Sequence, residues 1–318
     1  MINSRSPRIF AVIVTYKPDG ELLARLILAL APQVWGGVVV NNGTDLLIPS
    51  DFFQRHKFAV VHLQSNMGVA SALNVGFQRA QADSAEFVIT FDQDSEPVAD
   101  MVSQLLAAYQ ALVSAGRHVG AVGPQQIDRR SGKRAVFLAP IAWSRHRIEL
   151  SPGQTAEVDH LLTSGCLIPV QTWKHMGDFL EELFIDYVDI EWSLRLRHNG
   201  YCLFGVSDAK LMHSIGDDVV QWWGREFAWH SALRHYFMFR NGIYLQKLPH
   251  ISLSWKLFDA VQLAKKLVIF TLVGRPRRAH LAAMLRGIMD GWRGRLGAPR
   301  LAAEAAKRAQ NSVESESN

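Results

Sequence analysis

Two aspartates separated by one residue, Asp92 and Asp94, follow a run of apolar and β-branched residues at 87–91. Such a run predicts a buried strand. A pair of carboxylates at its end could hold a divalent cation, because Mg²⁺ and Mn²⁺ prefer carboxylate oxygens and share them with substrate phosphates. Two solvated or capping aspartates would fit the same pattern, so the D-x-D pattern alone leaves both interpretations open.

A second group of acids, Asp186, Asp189 and Glu191, lies at the start of a predicted helix over 186–198. Carboxylates in a first helical turn are favoured by the helix dipole, and this structural role explains them without any chemistry. Asp186 and Asp189 are three residues apart, however, so they share one face of the helix. A carboxylate held there beside a sugar hydroxyl group could act as a general base.

Three further positions could contact a cation or a phosphate group. His213 ends an apolar strand, where a histidine is usually structural but could complete a set of metal ligands. Arg240 and Asn241 interrupt an aromatic helix, and the fork of an arginine can grip a diphosphate. The same helix could equally carry an ordinary exposed arginine.

A strand-to-helix junction contains Asn66 and Gly68, and Asn74 lies within the helix that follows. Glycine lets a ligand approach the backbone, and a helix N-terminus favours phosphate. The segment lacks the G-x-G-x-x-G pattern and the acid of a dinucleotide-binding fold. Taken alone, close packing of the helix on the sheet is the simpler explanation.

Regular elements must position these residues. Apolar runs predict strands over 9–16, 36–42, 58–66, 86–91 and 119–125, and helical spacing predicts helices over 19–32, 67–82 and 98–116. Apolar strands that alternate with helices predict an α/β fold, a mostly parallel sheet flanked by helices. Ligands bind beyond the carboxyl ends of such strands. The polar residues at those ends are Thr15, Tyr16, Asn41, Asn42, Asn66, Asp92, Gln93 and Asp94.

The alternation of strands and helices is less regular beyond residue 125. Turn signals predict a hairpin excursion over 126–160, after which the chain returns to the core over 160–173. We expect a strand, a turn and a second strand over 201–218. From about Trp222 the pattern predicts helices rich in aromatic and basic residues.

Composition narrows the class of protein. The chain has 318 residues, a net charge of +5 and two cysteines, so neither a disulfide framework nor a Cys-x-x-Cys zinc site is expected. No uncharged apolar run reaches roughly 18 residues, and no signal peptide is recognisable. A reduced, cytoplasmic protein is the resulting expectation. The acids interspersed over the first 200 residues argue against a nucleic-acid binder, although the C-terminal part is basic.

Seven segments occur in a specific order: VIVTYKPD, VVVNNGT, NMGVASALNVGF, VITFDQDSEP, ELFIDYVDIEWSLR, MHSIG and RHYFMFRNGIY. Over about residues 8–245 this order resembles the family-2 inverting glycosyltransferases of GT-A (Rossmann-like) fold, and among them the bacterial rhamnosyltransferases. The resemblance implies transfer of a sugar from a nucleotide donor, dTDP-L-rhamnose, to a glycan or lipid acceptor. It further implies that a β-linked donor yields an α-linked product.

The resemblance also implies roles for individual residues. Asp94 would hold Mg²⁺ or Mn²⁺ with Asp92 beside it and His213 as a late ligand, and Asp189 would be the catalytic base. The acceptor or diphosphate side would include Glu191, Asp186, Arg240 and Asn241. The nucleotide-sugar pocket would be lined by Thr15, Tyr16, Asn41, Asn66, Gly68, Asn74, Asp92 and Gln93. Many relatives have aspartate where this chain has Asn41, so an amide would replace that carboxylate contact.

Three regions are expected: a GT-A glycosyltransferase domain over 1–245, a helical C-terminal extension over 246–306 and a disordered tail over 307–318. Aromatic and basic residues in the extension could contact the cytoplasmic face of the inner membrane, where lipid-linked acceptors are made. The same helices could instead simply cover the catalytic domain.

Other functions remain open at this point. A phosphatase would use the first acid of a D-x-D pattern as a nucleophile, but that pattern usually follows the first strand and here follows the fourth. A family-2 transferase for another nucleotide sugar is a second alternative. A non-catalytic nucleotide-sugar or glycan-binding protein on the same fold is a third. A nucleic-acid binder that uses residues 250–318 is the least favoured.

Overall fold

The computed structural model describes residues 6–43, 45–140, 145–213, 218–222, 225–229, 231–273 and 276–298. The first part of the chain alternates strands and helices, as predicted. Its elements are β1 (Ile9–Thr15), α1 (Gly20–Leu30), β2 (Gly36–Asn41), α2 (Ser50–Arg55), β3 (Phe58–His62), α3 (Val69–Ala82), β4 (Phe87–Asp92), β5 (Glu96–Pro97), α4 (Met101–Ser114) and β6 (Val119–Asp128).

The second part of the chain is more varied. Its elements are β7 (Phe137–Pro140), β8 (Arg145–Ile148), β9 (Thr155–Val158), β10 (Leu167–Pro169), α5 (Val170–Met176), a short 3-10 helix (Glu181–Leu183), α6 (Val188–His198), β11 (Cys202–His213), β12 (Asp218–Trp222), β13 (Arg225–Trp229), α7 (Ala232–Leu245), α8 (Leu253–Val273) and α9 (Arg277–Arg293).

The main sheet has the strand order β3-β2-β1-β4-β10-β6-β11-β5, with β9 also paired to β11. Strands β1 to β4 are mutually parallel, and so are β6 and β11. Strand β10 lies antiparallel between β4 and β6 and joins the two parallel groups. The predicted class, a mostly parallel sheet flanked by helices, is confirmed.

Both faces of the sheet are buried, which explains why its central strands read as apolar throughout. In β1, Phe10 and Val12 belong to one core cluster, whereas Ala11 and Ile13 belong to the other. Helix α3 packs so closely on the first face that a Cβ atom on Gly76 would lie 2.2 Å from a methyl carbon of Val12. Helix α1 covers the second face.

Two sequence predictions are corrected, and one helix was missed. The segment after Trp222 was expected to be helical, but β12 and β13 form an antiparallel hairpin and the helix begins only at Ala232. Aromatic and β-branched residues favour strands there. Residues 201–218 form one strand up to His213, with a register shift between Val206 and Lys210 in place of a turn. Helix α2 was missed because six residues are too few to show helical periodicity.

The C-terminal helices pack directly on α7. A Cβ atom on Gly291 of α9 would lie 2.2 Å from the carbonyl oxygen of Arg240, and one on Gly242 of α7 would lie 2.8 Å from Leu263 of α8. Among the described residues, no helix combines the length and the hydropathy needed to cross a bilayer. The predicted disordered tail, 307–318, lies outside the described residues, and the domain boundary at 245 stays a prediction.

Candidate active site

The carboxyl ends of β1, β2 and β4 meet at one edge of the sheet. In the parallel register Thr15 pairs with Asn41, and Val14 pairs with Asp92. The structure therefore brings together the polar strand ends that the sequence singled out. This edge, formed by residues 15–16, 41–42 and 92–94, is called the carboxyl edge below.

The D-x-D turn is anchored through its backbone and through Gln93. The N–H of Asp92 donates to Ser164 Oγ at 3.3 Å, and the N–H of Tyr16 donates to Gln93 Oε1 at 2.8 Å. Arg129 donates to the carbonyl oxygen of Asp94 at 3.3 Å. Residues 92–94 are half-buried. These contacts fix the turn at the carboxyl edge, and Ser164 is a supporting residue that the sequence analysis did not identify.

The backbone of His213 passes close to the same turn. Strand β11 pairs antiparallel with β5, with Met212 opposite Glu96, so the next residue, His213, runs beside Ser95. The side chain of His213 lies outside the described residues. Among the side chains that the structure describes, no three potential metal ligands cluster together. The three-ligand set therefore stays a prediction, supported by strand register.

Several residues predicted to line the nucleotide pocket are buried. Thr15 Oγ1 donates to Asn41 Oδ1 at 3.3 Å, and Asn41 Nδ2 lies 3.1 Å from His62 Nδ1. Thr15 and Asn41 are fully buried, so their side chains support the carboxyl edge from within. Tyr16 is exposed, and Asn66 accepts from the N–H of Gly68 at 3.0 Å.

Asn74 was predicted to line the nucleotide pocket, but its side chain bonds to residues 179 and 181. Its amide exchanges hydrogen bonds with the backbone of Phe179, at 3.0 and 2.9 Å, and donates to Glu181 Oε1 at 2.9 Å. The side chain is buried. We therefore replace the predicted nucleotide contact with a structural one: Asn74 joins α3 to the segment that leads into α6.

Asp189 lies half-buried in the first turn of α6. Its Oδ1 accepts from the N–H of Ile190 at 2.9 Å. Burial raises the pKa of this carboxyl, and the neighbouring charge of Asp186 acts in the same direction, whereas His160 and the N–H groups of Ile190 and Thr163 oppose the shift. A raised pKa makes the carboxylate a stronger base than a solvated aspartate.

Asp189 also lines a cavity of about 20 Å³ together with Thr90, Thr163 and Cys166. A volume of this size holds about one water molecule. Thr90 belongs to β4, two residues before Asp92, so the cavity connects α6 with the strand that carries the D-x-D pattern. His160, on the loop before β10, acts on Asp189 electrostatically and was missed because its loop has no local signal in the sequence.

The other two acids of this helix start differ in their surroundings. Asp186 Oδ1 accepts from Arg234 Nε at 3.3 Å. Glu191 is buried, and both its oxygens accept from Arg195, at 3.0 and 2.9 Å, with His250 Nε2 also 3.0 Å away. This bidentate pair directs the carboxylate of Glu191 into the protein, which argues against its predicted place on the acceptor side.

Arg240 and Asn241 are also turned inward. Arg240 is almost fully buried and donates to Asn241 Oδ1 and to the carbonyl oxygens of Glu182, Leu183 and Gly297, at 2.6 to 3.1 Å. A guanidinium engaged in this way is not presented to a diphosphate. We therefore revise the predicted diphosphate contact of both residues to a bracing role around 182–186.

The chain is similar to proteins of known function along most of its length. The family model of glycosyl transferase family 2 matches residues 10–160. The chain is 31% identical over 297 residues to the dTDP-rhamnosyl transferase RfbF of Shigella flexneri. The matched region covers 92% of this chain and 98% of that protein.

Solved structures show the same fold at low identity. TarS 1-349 of S. aureus, in complex with UDP-GlcNAc, has a TM-score of 0.56 and 15% identity, covering 89% of this chain and 81% of that one. GalNAc-T7 with UDP, GalNAc and Mn²⁺ has a TM-score of 0.55 and 14% identity, covering 84% of this chain and 58% of that one. These likenesses confirm the predicted GT-A architecture.

Proposed function

Because this chain belongs to glycosyl transferase family 2, we propose that it transfers L-rhamnose from dTDP-L-rhamnose to a hydroxyl group of a cell-surface glycan or lipid. One observation carries the choice of donor: the similarity to the Shigella flexneri dTDP-rhamnosyl transferase extends over 92% of the chain. It therefore spans the C-terminal helices as well as the sheet. Another nucleotide sugar is the alternative that the experiment below distinguishes.

Mg²⁺ or Mn²⁺ would be held by Asp94 and Asp92, with His213 as the third ligand. The donor set fits a hard cation, because two carboxylates lie in one anchored turn and the end of β11 runs beside that turn. When bound, the cation would neutralise the negative charge that develops on the departing nucleoside diphosphate. Tyr16, Asn66, Gly68 and Gln93, which surround the same edge, are the proposed contacts of the nucleotide.

Asp189 is the proposed general base. It would accept the proton of the acceptor hydroxyl group while the hydroxyl oxygen attacks the anomeric carbon from the side opposite the nucleotide. This geometry inverts the configuration, so a β-linked donor would yield an α-linked product. The raised pKa of Asp189 supports the role, because it favours proton acceptance. Asp186, beside it, is the proposed acceptor-side residue.

A donor screen tests the proposal. Purified protein is incubated with Mg²⁺ or Mn²⁺ and a panel of nucleotide sugars, and release of the nucleoside diphosphate is measured with water alone and with glycan acceptors. We expect the fastest release from dTDP-L-rhamnose and its loss in Asp94→Ala. Faster release from a different nucleotide sugar would contradict the donor assignment, and full activity of Asp94→Ala would contradict the metal site.

Peripheral contact with the inner membrane is the proposed role of the outer surface of α8 and α9. Five apolar side chains of α8 lie on one face and are 50% to 64% exposed: Leu253, Leu257, Val261, Val268 and Leu272. Helix α9 exposes Leu285, Met289 and Trp292. Exposed apolar stripes of this kind mark interaction surfaces.

The charges of these two helices point to an anionic membrane. Their two acids, Asp259 and Asp290, are buried, whereas the exposed charges are cationic. The exposed cations are Lys265, Arg277, Arg278, Arg286 and Arg293. Apolar side chains bordered by lysine and arginine suit the interface of an anionic bilayer. A lipid-linked acceptor would be reached from that position.

A further inference from the structure

A short segment before α6 holds an unusual backbone conformation. Phe184, Asp186 and Tyr187 have φ angles of +66°, +61° and +66°. Positive φ angles are unfavourable for residues other than glycine and persist only where the surrounding structure imposes them. The segment leads directly into α6, whose second residue is Asp189. The conformation of 184–187 therefore sets where that carboxylate lies.

Helix α7 holds this segment from one side through backbone carbonyl groups. Asn241 Nδ2 is the shared donor, and it lies 2.9, 2.7 and 2.9 Å from the carbonyl oxygens of Leu183, Ile185 and Asp186. Arg240 Nη2 donates to the carbonyl oxygens of Glu182 and Leu183. Both side chains are buried. Buried carbonyl groups need such partners, so the pair favours this path of the backbone.

Helix α8 holds the same segment from the C-terminal extension. The hydroxyl group of Tyr187 donates to Asp259 Oδ1 at 2.9 Å, and Asp259 Oδ2 accepts from Gln246 at 3.2 Å. Tyr187 and Asp259 are both buried. The Tyr187 ring also meets Trp255 edge-on, at 6.4 Å between centroids. An inward-facing acid on α8 thus fixes the last residue before α6.

The donor side of the site holds the segment from a third direction. The N–H of Val69 donates to the carbonyl oxygen of Phe184 at 2.6 Å. A Cβ atom on Gly68 would lie 2.5 Å from that same oxygen, so the two backbones touch where no side chain fits. Asn42, at the carboxyl edge, donates to the carbonyl oxygen of Gly68 at 3.0 Å. Segment 184–187 therefore contacts the backbone beside the carboxyl edge and leads into the helix that carries the proposed base.

We propose that Tyr187, Asp259, Arg240 and Asn241 are positioning residues for the transfer reaction, which keep Phe184, Asp186 and Tyr187 at their positive φ angles and so fix Asp189 relative to the carboxyl edge. This inference rests on the proposed role of Asp189 as base. Under it, α8 is part of the catalytic apparatus as well as a surface helix. A base displaced by about 1 Å can lose about 10²-fold in rate, while the proposed donor contacts at residues 92–94 would be retained.

The test compares two matched tyrosine variants. Tyr187→Phe removes the hydroxyl group that donates to Asp259, whereas Tyr201→Phe removes one that lies 2.8 Å from His175 Nδ1 of α5. Both changes delete one side-chain hydrogen bond of a tyrosine, but Tyr201 follows the C-terminal end of α6 and contacts His118 and His175, at the other end of that helix from segment 184–187. The readouts are the hydrolysis of dTDP-L-rhamnose, in which water replaces the acceptor, and amide hydrogen exchange over 184–191.

We expect Tyr187→Phe to lower kcat by about tenfold to a hundredfold with an unchanged donor KM, and to speed exchange at 184–191. Tyr201→Phe should leave both readouts near wild type. Equal kcat in the two variants, or unchanged exchange at 184–191 in Tyr187→Phe, would overturn the positioning proposal. Full hydrolysis by Asp189→Asn would overturn the assignment of the base instead, so the two failures are distinguishable.

Discussion

At the scale of single residues, Asp189 is a carboxyl group whose surroundings disfavour its charged form. Burial raises its pKa, and the hydrogen bond from Ile190 offsets only part of that effect. A carboxylate kept at some cost in stability, beside a small cavity that reaches β4, is typical of a functional group. Two predictions follow from this one side chain.

The first concerns activity. Asp189→Asn keeps the size of the side chain and its contact with Ile190 but removes the proton acceptor. We expect transfer to fall by about 10²- to 10⁴-fold, while donor binding, measured by calorimetry, stays near wild type. Asp51→Asn, which removes an exposed pair with Arg55, is the control and should retain activity. Lost donor binding in Asp189→Asn would place this residue in the donor site instead.

The second prediction concerns stability and pH. The folded-state pKa of Asp189 is raised above its ordinary value of 3.8, so the folded protein binds more protons than the unfolded chain between those two values. Its contribution therefore lowers the free energy of unfolding as pH rises through that window. The Asp189→Asn variant has no carboxyl group at this position, so this decrease in the free energy of unfolding does not occur in it. We expect the variant to be more stable than wild type at pH 7, with the difference shrinking towards pH 3.8.

Urea unfolding midpoints over this pH range check that sign. A variant less stable than wild type at neutral pH would show that Asp189 carries a net stabilising charge, contrary to its burial.

The residues of the site differed in how far the sequence could predict them. Asp92, Asp94 and Asp189 stand out by type and order, and the structure places Asp92 on the carboxyl edge. Asn74 and Arg240 could not be placed, because their partners lie 105 and up to 58 residues away along the chain. A buried amide or guanidinium looks like a surface one in sequence until those partners are known.

At the scale of elements, the strands of the parallel sheet could be predicted from the sequence, because both their faces are buried and their residues are therefore apolar throughout. The β12–β13 hairpin could not be predicted, since the mixture of aromatic, apolar and charged residues in its two strands also suits an amphipathic helix. The hydrogen bonds that hold segment 184–187 could not be predicted from the sequence either, because they come from three separate elements, α3, α7 and α8. Tertiary contacts, rather than local propensity, decide these features.

The crossing of α7 and α9 gives a prediction at this scale. A methyl group on Gly291 would meet the carbonyl oxygen of Arg240 at 2.2 Å, and backbone cannot move aside easily. Gly291→Ala should therefore lower the free energy of unfolding by about 1–3 kcal/mol, measured by chemical denaturation.

The matched control for that crossing is Gly20→Ala. The nearest atom to its new methyl group would be a side-chain carbon of Ile48 at 3.7 Å, an ordinary contact. This variant should be at least as stable as wild type, because alanine favours a helix more than glycine does. Equal stability of the two variants would mean that α9 does not pack on α7 as described.

At the scale of the whole molecule, the carboxyl edge of the sheet and the outer face of α8 are the two surfaces for which we propose functions. The inner face of α8 holds Asp259 against Tyr187, while its outer face exposes a continuous apolar stripe. The proposed site and the proposed membrane contact therefore share one helix. A membrane-bound acceptor would then be presented close to segment 184–187, which leads into the helix that carries Asp189.

Vesicle flotation tests the membrane contact. We expect the wild-type protein to float with vesicles that contain anionic phosphatidylglycerol, and less so as salt is raised. Leu257→Gln combined with Val268→Gln should abolish flotation. The control is Leu28→Gln combined with Leu47→Gln, which changes two exposed leucines away from α8 and α9 and should float as wild type does. Equal flotation of both double variants would contradict a contact through α8.

We propose above all that this glycosyltransferase uses dTDP-L-rhamnose as its donor. The most direct measurement is kcat/KM for release of dTDP from dTDP-L-rhamnose and from dTDP-glucose, because the two donors share a nucleotide and differ only in the sugar. We predict a clear preference for dTDP-L-rhamnose that disappears on removal of divalent cations. An equal or higher kcat/KM for dTDP-glucose would contradict the assignment of dTDP-L-rhamnose as the donor.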